Sequence, residues 1–562
     1  MQKLLALTTC FLITSMLTAQ HTNIPLNAID YHLIDRIEIK SGNVSNQIHT
    51  SLKPYSRLDA VVYAESADTM NSANFGRLDR LNQYYLYKNN NEWKEDRGLI
   101  ESKKPLLKHF YQYKSDFYYH RDGNDFLVKV NPILHLQLGK SSDTDGLRYQ
   151  NQKGVEVRGW IGQKLGFYTS LTDNQSSFPN YIEDRIREAG AVPGEGRFKE
   201  FESGIGDNLF AFGHDYYTAN GYITFSPIEQ ISLQMGHDKN FIGNGIRSLL
   251  LSDYSNNYFF LKVNTKIWKF NYQNLFMELT SQFDRGADAL LPSKYAAMHH
   301  LSFNATKWLN LGVFEAVVFQ RDTGFEMQYL NPLIFYRAVE FHLGSADNVL
   351  LGLDYKANIA QKFSLYGQLV LDELRFGEVT SGDGWWGNKF GVQMGLKYID
   401  VANISNLDAQ FEFNTVRPYT YTHQTQQANY THFNQPLAHP LGANFREFLG
   451  VFRYRTAKNV FMDWRLMYAQ YGADIAEDNY GGNIFTPNDT RLMEYGNSLL
   501  QGNQTNILLS DFTLSYMMKF NFFLDFHYTF RNSKEELSGI SASENFVGLG
   551  MRLNFQQRKD LF

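Results

Sequence analysis

Cysteine is almost absent from this chain of 562 residues, in which only Cys10 is present. It lies in an N-terminal segment with the pattern of an export signal. Lys3 supplies a positive charge, residues 4–17 form an apolar core, and residues 17–19 offer a cleavage site. We therefore predict a signal peptide over residues 1–19. The mature chain would then lack cysteine, which excludes disulfides, thiol catalysis and cysteine-ligated metals.

Long apolar runs are also missing. After the first twenty residues, no segment approaches the ~18–20 consecutive apolar residues that a membrane-spanning helix needs. An exported chain of this kind is predicted to be either soluble or a membrane β-barrel. An excess of one charge is missing too, since 53 basic and 58 acidic residues leave a net charge of −5. Nucleic acid is accordingly not an expected partner.

Aromatic residues, in contrast, are abundant. They make up 15% of the chain, with 44 Phe and 35 Tyr, although the mean hydropathy of −0.39 is polar. Membrane β-barrels combine these two traits, because their lumen is polar and aromatic girdles lie at the two lipid interfaces.

The C-terminal stretch, residues 547–555, alternates without error. Val547, Leu549, Met551, Leu553 and Phe555 fall on one side, and small or polar residues fall on the other. This period of two suits the closing strand of a membrane barrel, and an edge strand of a soluble sandwich would show the same pattern.

Similar alternation recurs from Phe126 to the end of the chain. Long polar loops alternate with short turns, which we expect at residues 162–164, 226–230, 264–266, 305–308, 456–459 and 520–521. Outer-membrane barrels keep short turns and both chain ends in the periplasm, and the segments then pair into an even number of strands. We predict an all-β fold, a transmembrane antiparallel β-barrel of about 18 strands over residues 106–562. Residues 111–119 fit either an extra strand or the preceding unit.

Residues 20–105 follow a different pattern. Apolar residues at helical spacing predict three short helices, carried by Leu26, Ile29, Leu33 and Ile37, by Val61 and Val62 behind Ser56 and Asp59, and by Leu78, Leu81 and Tyr85. We predict a small periplasmic α-helical unit over this range.

Four blocks in the long loops stand out: residues 236–254, 329–348, 416–423 and 434–444. They resemble the Wzi-type capsule-assembly family of outer-membrane proteins, and most closely its Bacteroidetes branch, which includes the gliding-motility protein RemB. The likeness runs over most of residues 126–555. It implies a large barrel with a helical plug-like bundle on the periplasmic side and a lectin-like grip on surface polysaccharide. It implies no catalytic residue.

Polysaccharide recognition needs flat aromatic faces for sugar rings, planar polar groups for hydroxyls, and Arg for acidic sugars. The candidates are Trp385, Trp386, Tyr419 and Tyr421 for stacking, Asn244, Asp253, Asn331 and Asn434 for hydrogen bonds, and Arg247, Arg337 and Arg417 for charge. Each has a structural alternative. The aromatics suit a girdle, and Arg337 with Glu340 suits a lumen ion pair. His423, His432 and His439 match no established metal spacing.

These observations favour a non-enzymatic protein of the bacterial outer membrane, with long loops at the cell surface and without metal or cofactor. Its expected partners are cell-surface polysaccharide, outer-membrane lipid and the gliding or surface-export machinery. The polysaccharide would support capsule assembly or attachment, or gliding motility. The alternative is a porin-like channel for small solutes, since a barrel of this size has room for a pore.

Overall fold

The computed structural model describes residues 22–71, 75–94, 101–102, 105–143, 146–162, 164–201, 213–283, 290–321, 324–345, 347–373, 375–556 and 561–562. The predicted signal peptide and Cys10 lie outside these ranges.

Three helices lead the described chain, as the spacing of apolar residues predicts. They are α1 (Ile29–Ser41), α2 (Arg57–Asn71) and α3 (Arg77–Asn89), followed by a 3-10 turn at Asn91–Trp93. The Ser56 hydroxyl accepts a hydrogen bond from the Asp59 amide at 3.1 Å, which caps the start of α2. Ile34, Ala64 and Leu86, one from each helix, are fully buried against one another in a small apolar core. No helix in the described parts of the chain is both long and apolar enough to span a bilayer.

Eighteen antiparallel strands close into a barrel, which confirms the predicted fold class. They are β1 (Phe126–Ser141), β2 (Leu147–Ile161), β3 (Leu165–Ser177), β4 (Gly213–Ile228), β5 (Ile231–Asp238), β6 (Tyr258–Ile267), β7 (Phe270–Thr280), β8 (Ser293–Asn304), β9 (Leu309–Phe319), β10 (Asn348–Ile359), β11 (Phe363–Glu373), β12 (Lys389–Tyr398), β13 (Leu407–Val416), β14 (Phe445–Ala457), β15 (Val460–Ala473), β16 (Asn503–Lys519), β17 (Phe522–Glu535) and β18 (Ser541–Leu553).

The barrel closes where β18 pairs with β1, with Leu549 opposite Leu138. Both side chains are exposed on the outward face, as the alternation of residues 547–555 predicts. A short strand, Tyr118–Asp122, pairs with the first residues of β1, so that residues 118 and 119 belong to an extra hairpin strand.

Short turns lie at one end of the barrel, which we call the turn rim, and long connections lie at the other end, the loop rim. The prediction of a turn at residues 264–266 is wrong. Strand β6 continues through Ile267, and the chain reverses at Trp268 and Lys269 because Trp268 adopts a left-handed backbone with φ of 56°. In the described parts of the long connections lie three further helices: α4 (Asn180–Ala189), α5 (Tyr336–Leu343) and α6 (Phe376–Ser381).

The helical segment, residues 22–71 and 75–94, lies inside the barrel and is called the plug here. Buried ion pairs join it to the inner wall. Lys356 of β10 pairs with Glu38 of α1, Asp408 of β13 pairs with Arg36, and Lys129 Nζ of β1 lies 2.9 Å from Glu92 Oε2. Because the wall is polar, the plug docks largely through charge.

The electrostatics of Glu92 illustrate this docking. Burial raises the pKa of the Glu92 carboxyl, but Lys129 and Arg158 outweigh burial and hold that pKa well below its usual range. The carboxylate is therefore charged inside the lumen, and its stabilisation depends on both barrel cations.

Lys356→Met should leave Glu38 as an uncompensated buried charge. Breaking such a pair costs about 3–5 kcal/mol, so we expect faster hydrogen exchange in residues 29–41, while exchange in the barrel strands stays unchanged. The double variant Glu38→Met with Lys356→Met should recover most of the protection. Arg187→Met, which removes the exposed pair with Asp184, is the control. Equal exchange in the single variant and the wild type would contradict the docking by charge.

Candidate functional site

The connection from β5 to β6, residues 239–257, folds into the barrel and is called the inward loop. Its Phe241–Ile242 segment pairs with Leu52–Lys53 of the plug, and the side chains of Leu249, Leu250 and Leu251 are fully buried. The first block of candidate residues therefore lies inside the lumen.

The candidates of this block hold the inward loop in place. Arg247 Nη2 donates to Glu447 Oε1 of β14 at 2.8 Å, and the Thr50 hydroxyl of the plug donates to Asn244 Oδ1 at 3.0 Å. Asp253 Oδ2 accepts from Asn27 Nδ2 at 2.9 Å. Asn244 and Arg247 are buried. These side chains join loop, wall and plug, and the two buried ones face away from any polymer outside the barrel.

The third block is buried at the loop rim. Tyr419 and Tyr421 are almost inaccessible, and both have a left-handed backbone, with φ of 63° and 74°. The Tyr421 hydroxyl donates to the Leu249 carbonyl at 2.8 Å, and the Tyr419 hydroxyl donates to the Asn479 carbonyl at 2.8 Å. Neither ring presents a face for stacking, so their role is to fix the loops.

Asn434 and Arg417 also connect loops. Asn434 Nδ2 donates to the Phe283 carbonyl at 2.8 Å and to the Ala189 carbonyl at 3.0 Å. Arg417 Nε donates to the Asn388 carbonyl at 2.8 Å, and burial lowers the pKa of its guanidinium. Both side chains remain partly accessible.

Asn331 and Arg337, from the second block, lie away from the mouth. Arg337 pairs with Glu340 at 2.5 Å, as the alternative interpretation expects. The pair is on the outer wall of the barrel instead of in the lumen, because the segment that carries it packs against outward-facing side chains of β7–β10.

Two loops meet around Trp386 at the loop rim. The Trp386 amide donates to the Glu494 carbonyl at 3.0 Å, and the Gly496 amide donates to the Asp383 carbonyl at 2.8 Å. The loop between β11 and β12 is thereby fixed against the loop between β15 and β16. We call the side chains of Arg375, Trp385, Trp386, Arg491 and Glu494 the rim tryptophan cluster.

Charge and aromatic faces alternate in this cluster. The Arg491 guanidinium lies 4.2 Å from the centre of the Trp386 ring, and its Nη2 donates to Glu494 Oε2 at 2.6 Å. Trp386 Nε1 donates to Glu494 Oε1 at 2.9 Å. The hydrogen bond from Arg491 holds the pKa of Glu494 below its usual range. The carboxylate is charged at neutral pH and orients both the indole and the guanidinium.

The two tryptophans differ in their exposure to solvent. Trp385 is buried beneath Arg375, whereas Trp386 is half-buried and the Glu494 side chain is half-exposed. Both tryptophans are among the candidates predicted from the sequence, whereas Arg491 and Glu494 are not. The i,i+3 spacing of Arg491 and Glu494 indicates an ion pair between them. No pattern in the sequence indicates that this pair contacts a tryptophan about a hundred residues earlier.

The rings of His432 and His439 have separate partners. His432 Nδ1 accepts from the Thr280 amide at 2.9 Å, and Nε2 lies 3.0 Å from the Asn257 carbonyl. His439 Nε2 lies 2.9 Å from Glu447 Oε2. Burial lowers the pKa of His432 to about 3 and that of His423 to about 4. Both histidines are neutral in the folded loop.

The class of protein defined by this architecture is a closed 18-stranded antiparallel barrel with an internal helical plug and inwardly folded loops. A solved structure with a similar overall fold is that of Wzi, an outer-membrane protein involved in group 1 capsule assembly in Escherichia coli. It superposes with a TM-score of 0.55 at 13% identity, over 95% of this chain and 100% of that chain. At this identity the likeness shows a common fold.

Porin structures superpose less well. OprD from Pseudomonas aeruginosa gives a TM-score of 0.40 at 11% identity, over 76% of this chain and 93% of that chain. OccAB2 from Acinetobacter baumannii gives 0.40 at 10% identity, over 77% and 99%. No family model matches the sequence, and no curated protein matches it in a sequence search.

Tyr421→Phe should destabilise the loops without changing the affinity of the folded protein for glycan. The variant leaves the buried Leu249 carbonyl without its donor, which costs about 1–3 kcal/mol. We expect faster proteolysis of the inward loop and an unchanged dissociation constant. Tyr495→Phe, at an exposed position, is the control and should change neither. A loss of affinity in fully folded Tyr421→Phe would contradict the structural role.

Acid should loosen the loop that carries His432. The unfolded loop binds a proton near the ordinary pKa of 6.5, whereas the folded loop resists protonation down to about 3. Stability from the neutral ring is therefore complete above pH 6.5 and is lost as the pH falls below it. The protection factors of residues 417–444, which are corrected for the pH dependence of the intrinsic exchange rate, should fall over that range. His432→Gln, which keeps a donor and an acceptor but does not titrate, should flatten the dependence, and an unchanged slope would contradict this account.

Proposed function

We propose that this protein is a non-enzymatic outer-membrane barrel that binds surface polysaccharide at its loop rim. The observation that carries the proposal is the rim tryptophan cluster. Trp386 is partly accessible, so that its indole can contact the C–H face of a sugar ring, and Glu494 can accept hydrogen bonds from hydroxyls. Arg491, fixed by Glu494 and stacked on Trp386, suits the carboxylate of an acidic sugar.

The shared fold supports the proposal. The Wzi barrel is described as carbohydrate-binding and as involved in capsule assembly. In our proposal the loop rim faces the cell exterior, because outer-membrane barrels keep short turns and chain ends in the periplasm. The bound polysaccharide would serve capsule assembly or attachment, or gliding motility together with a surface machinery.

The channel alternative requires a continuous passage. The plug and the inward loop occupy the lumen, and cavities of about 280 and 340 Å³ flank the plug. We expect planar bilayers with the wild-type protein to be silent, and Lys356→Met to produce openings by loosening the plug. Sustained current from the wild type would favour the channel.

A glycan array with detergent-solubilised protein tests the proposal. Trp386→Ala should weaken binding at least about tenfold, equivalent to about 1.4 kcal/mol, because the stacking face is lost. Arg491→Ala should weaken binding of acidic glycans and leave that of neutral glycans nearly unchanged. Both effects should appear in the dissociation constants measured for purified glycans.

Trp308→Ala is the matched control, because Trp308 is a partly exposed tryptophan at the turn rim. It should bind like the wild type. Heat-modifiable migration in gels verifies that each variant is a folded barrel. Absence of glycan binding by the wild type, or equal binding by Trp386→Ala, would overturn the proposal.

A further inference from the structure

The connection between β9 and β10 folds over the outside of the barrel instead of over its mouth. We call its residues 324–345 the outer-wall appendage. Strand alternation establishes which side it covers. His300 and Ser302 of β8 face the lumen, where they contact Asp354 and the plug residue His49. Their neighbour His299 must therefore face outward.

Polar groups of the outer wall lie under this appendage. His299 and Glu315 are cross-strand neighbours on the outward face, and both are buried. The Tyr336 ring centre lies 3.9 Å from that of His299, and Glu315 Oε1 accepts from the Arg337 amide at 3.2 Å in the first turn of α5. A carboxylate at a helix N-terminus is stabilised by the helix dipole. The outer wall therefore provides specific contacts for the first turn of α5.

Apolar contacts complete the attachment. Outward-facing Phe276, Ala297 and Val317 pack against Tyr329 and Val339 of the appendage in one buried cluster. The appendage is thus a fixed part of the outer surface, with an underside that matches the wall.

The opposite side of the appendage exposes large apolar side chains, interspersed with the exposed polar side chains of Gln328, Asn331, Arg337 and His342. Four large side chains there have exposed fractions of 71 to 85%: Met327, Leu333, Phe335 and Phe341. Water would disfavour such a concentration of large apolar groups on one short segment.

The outward-facing apolar side chains of the strands form a band around the barrel, which we call the apolar belt. Its extent indicates what covers the four exposed side chains. On β6 it extends from Ile267 at the turn rim to Phe259, about 26 Å along the strand. On β9 it extends only from Leu309 to Val313, about 13 Å, before Glu315 interrupts it. The appendage covers this wall beyond Val313, at His299, Glu315 and Val317. It presents its own exposed apolar side chains where the belt of β9 ends.

We infer that the outer-wall appendage is a lipid-binding element, in which Leu333, Phe335 and Phe341 insert among acyl chains of the leaflet next to the loop rim. The inference rests on the proposed embedding of the barrel in lipid. The occupant is lipid because the exposed side chains extend the same belt that lipid covers on neighbouring strands.

Fluorescence quenching in proteoliposomes tests this inference. Phe335→Cys is labelled with an environment-sensitive fluorophore in a background lacking Cys10, and spin-labelled phospholipid serves as the quencher. Leu514→Cys on the outward face of β16 is the lipid control, and Leu537→Cys in the loop between β17 and β18 is the water control. We expect the Phe335 label to be quenched as strongly as the Leu514 label, at least about threefold more than the Leu537 label.

Each outcome is decisive. Quenching at position 514 but not at 335, with maleimide access from water at 335, would overturn the lipid inference and leave the embedded barrel intact. Disulfide-linked dimers through position 335 would instead show that a second copy covers the patch, and would also overturn it. An unquenched Leu514 label would mean that the barrel itself is not embedded, which refutes the proposed location.

Discussion

The structure depends on the pairing of the charged side chains that the plug and the inner wall bury between them. Lys129, Lys356 and Asp408 of the inner wall each meet an opposite charge on the plug. Burying a single ion is costly, whereas a pair with satisfied hydrogen bonds is tolerated and specifies one docking geometry. The same solution recurs at Arg247 and Glu447, where the inward loop meets the wall. A barrel wide enough for a pore is thereby filled by its own chain.

Because the chain fills its own lumen, the side chains that remain accessible for binding lie at the loop rim and on the outer wall. In the loops that fold inward, tyrosine and asparagine side chains form hydrogen bonds within the protein, as Tyr421 and Asn244 do. What remains accessible is a half-buried indole with its charged neighbours at the loop rim, and an apolar appendage on the outer wall. The first suits a polar polymer and the second suits lipid, so one barrel presents two surfaces of opposite polarity.

Rigid loops are a requirement for such a binding surface. Trp386 is held by one backbone and one side-chain hydrogen bond to Glu494, and its neighbour Trp385 is buried. A stacking face that is already oriented loses little conformational entropy when a sugar binds. The backbone strain at Tyr419 and Tyr421 is consistent with loops whose conformation is fixed by many contacts.

The sequence by itself determined the barrel, because a period of two, short turns and the absence of long apolar runs are local properties of the chain. It also determined the three plug helices, whose spacing and Ser56 cap are local. Only the tertiary structure decided which candidate residues are accessible. Arg247 and Tyr421 form hydrogen bonds with residues far away in sequence. Arg491 and Glu494 contact Trp386 from a different loop. Arg337 lies on the outer wall. Long-range pairing of charges and hydrogen bonds leaves no periodic trace in the sequence, so these assignments required the folded chain.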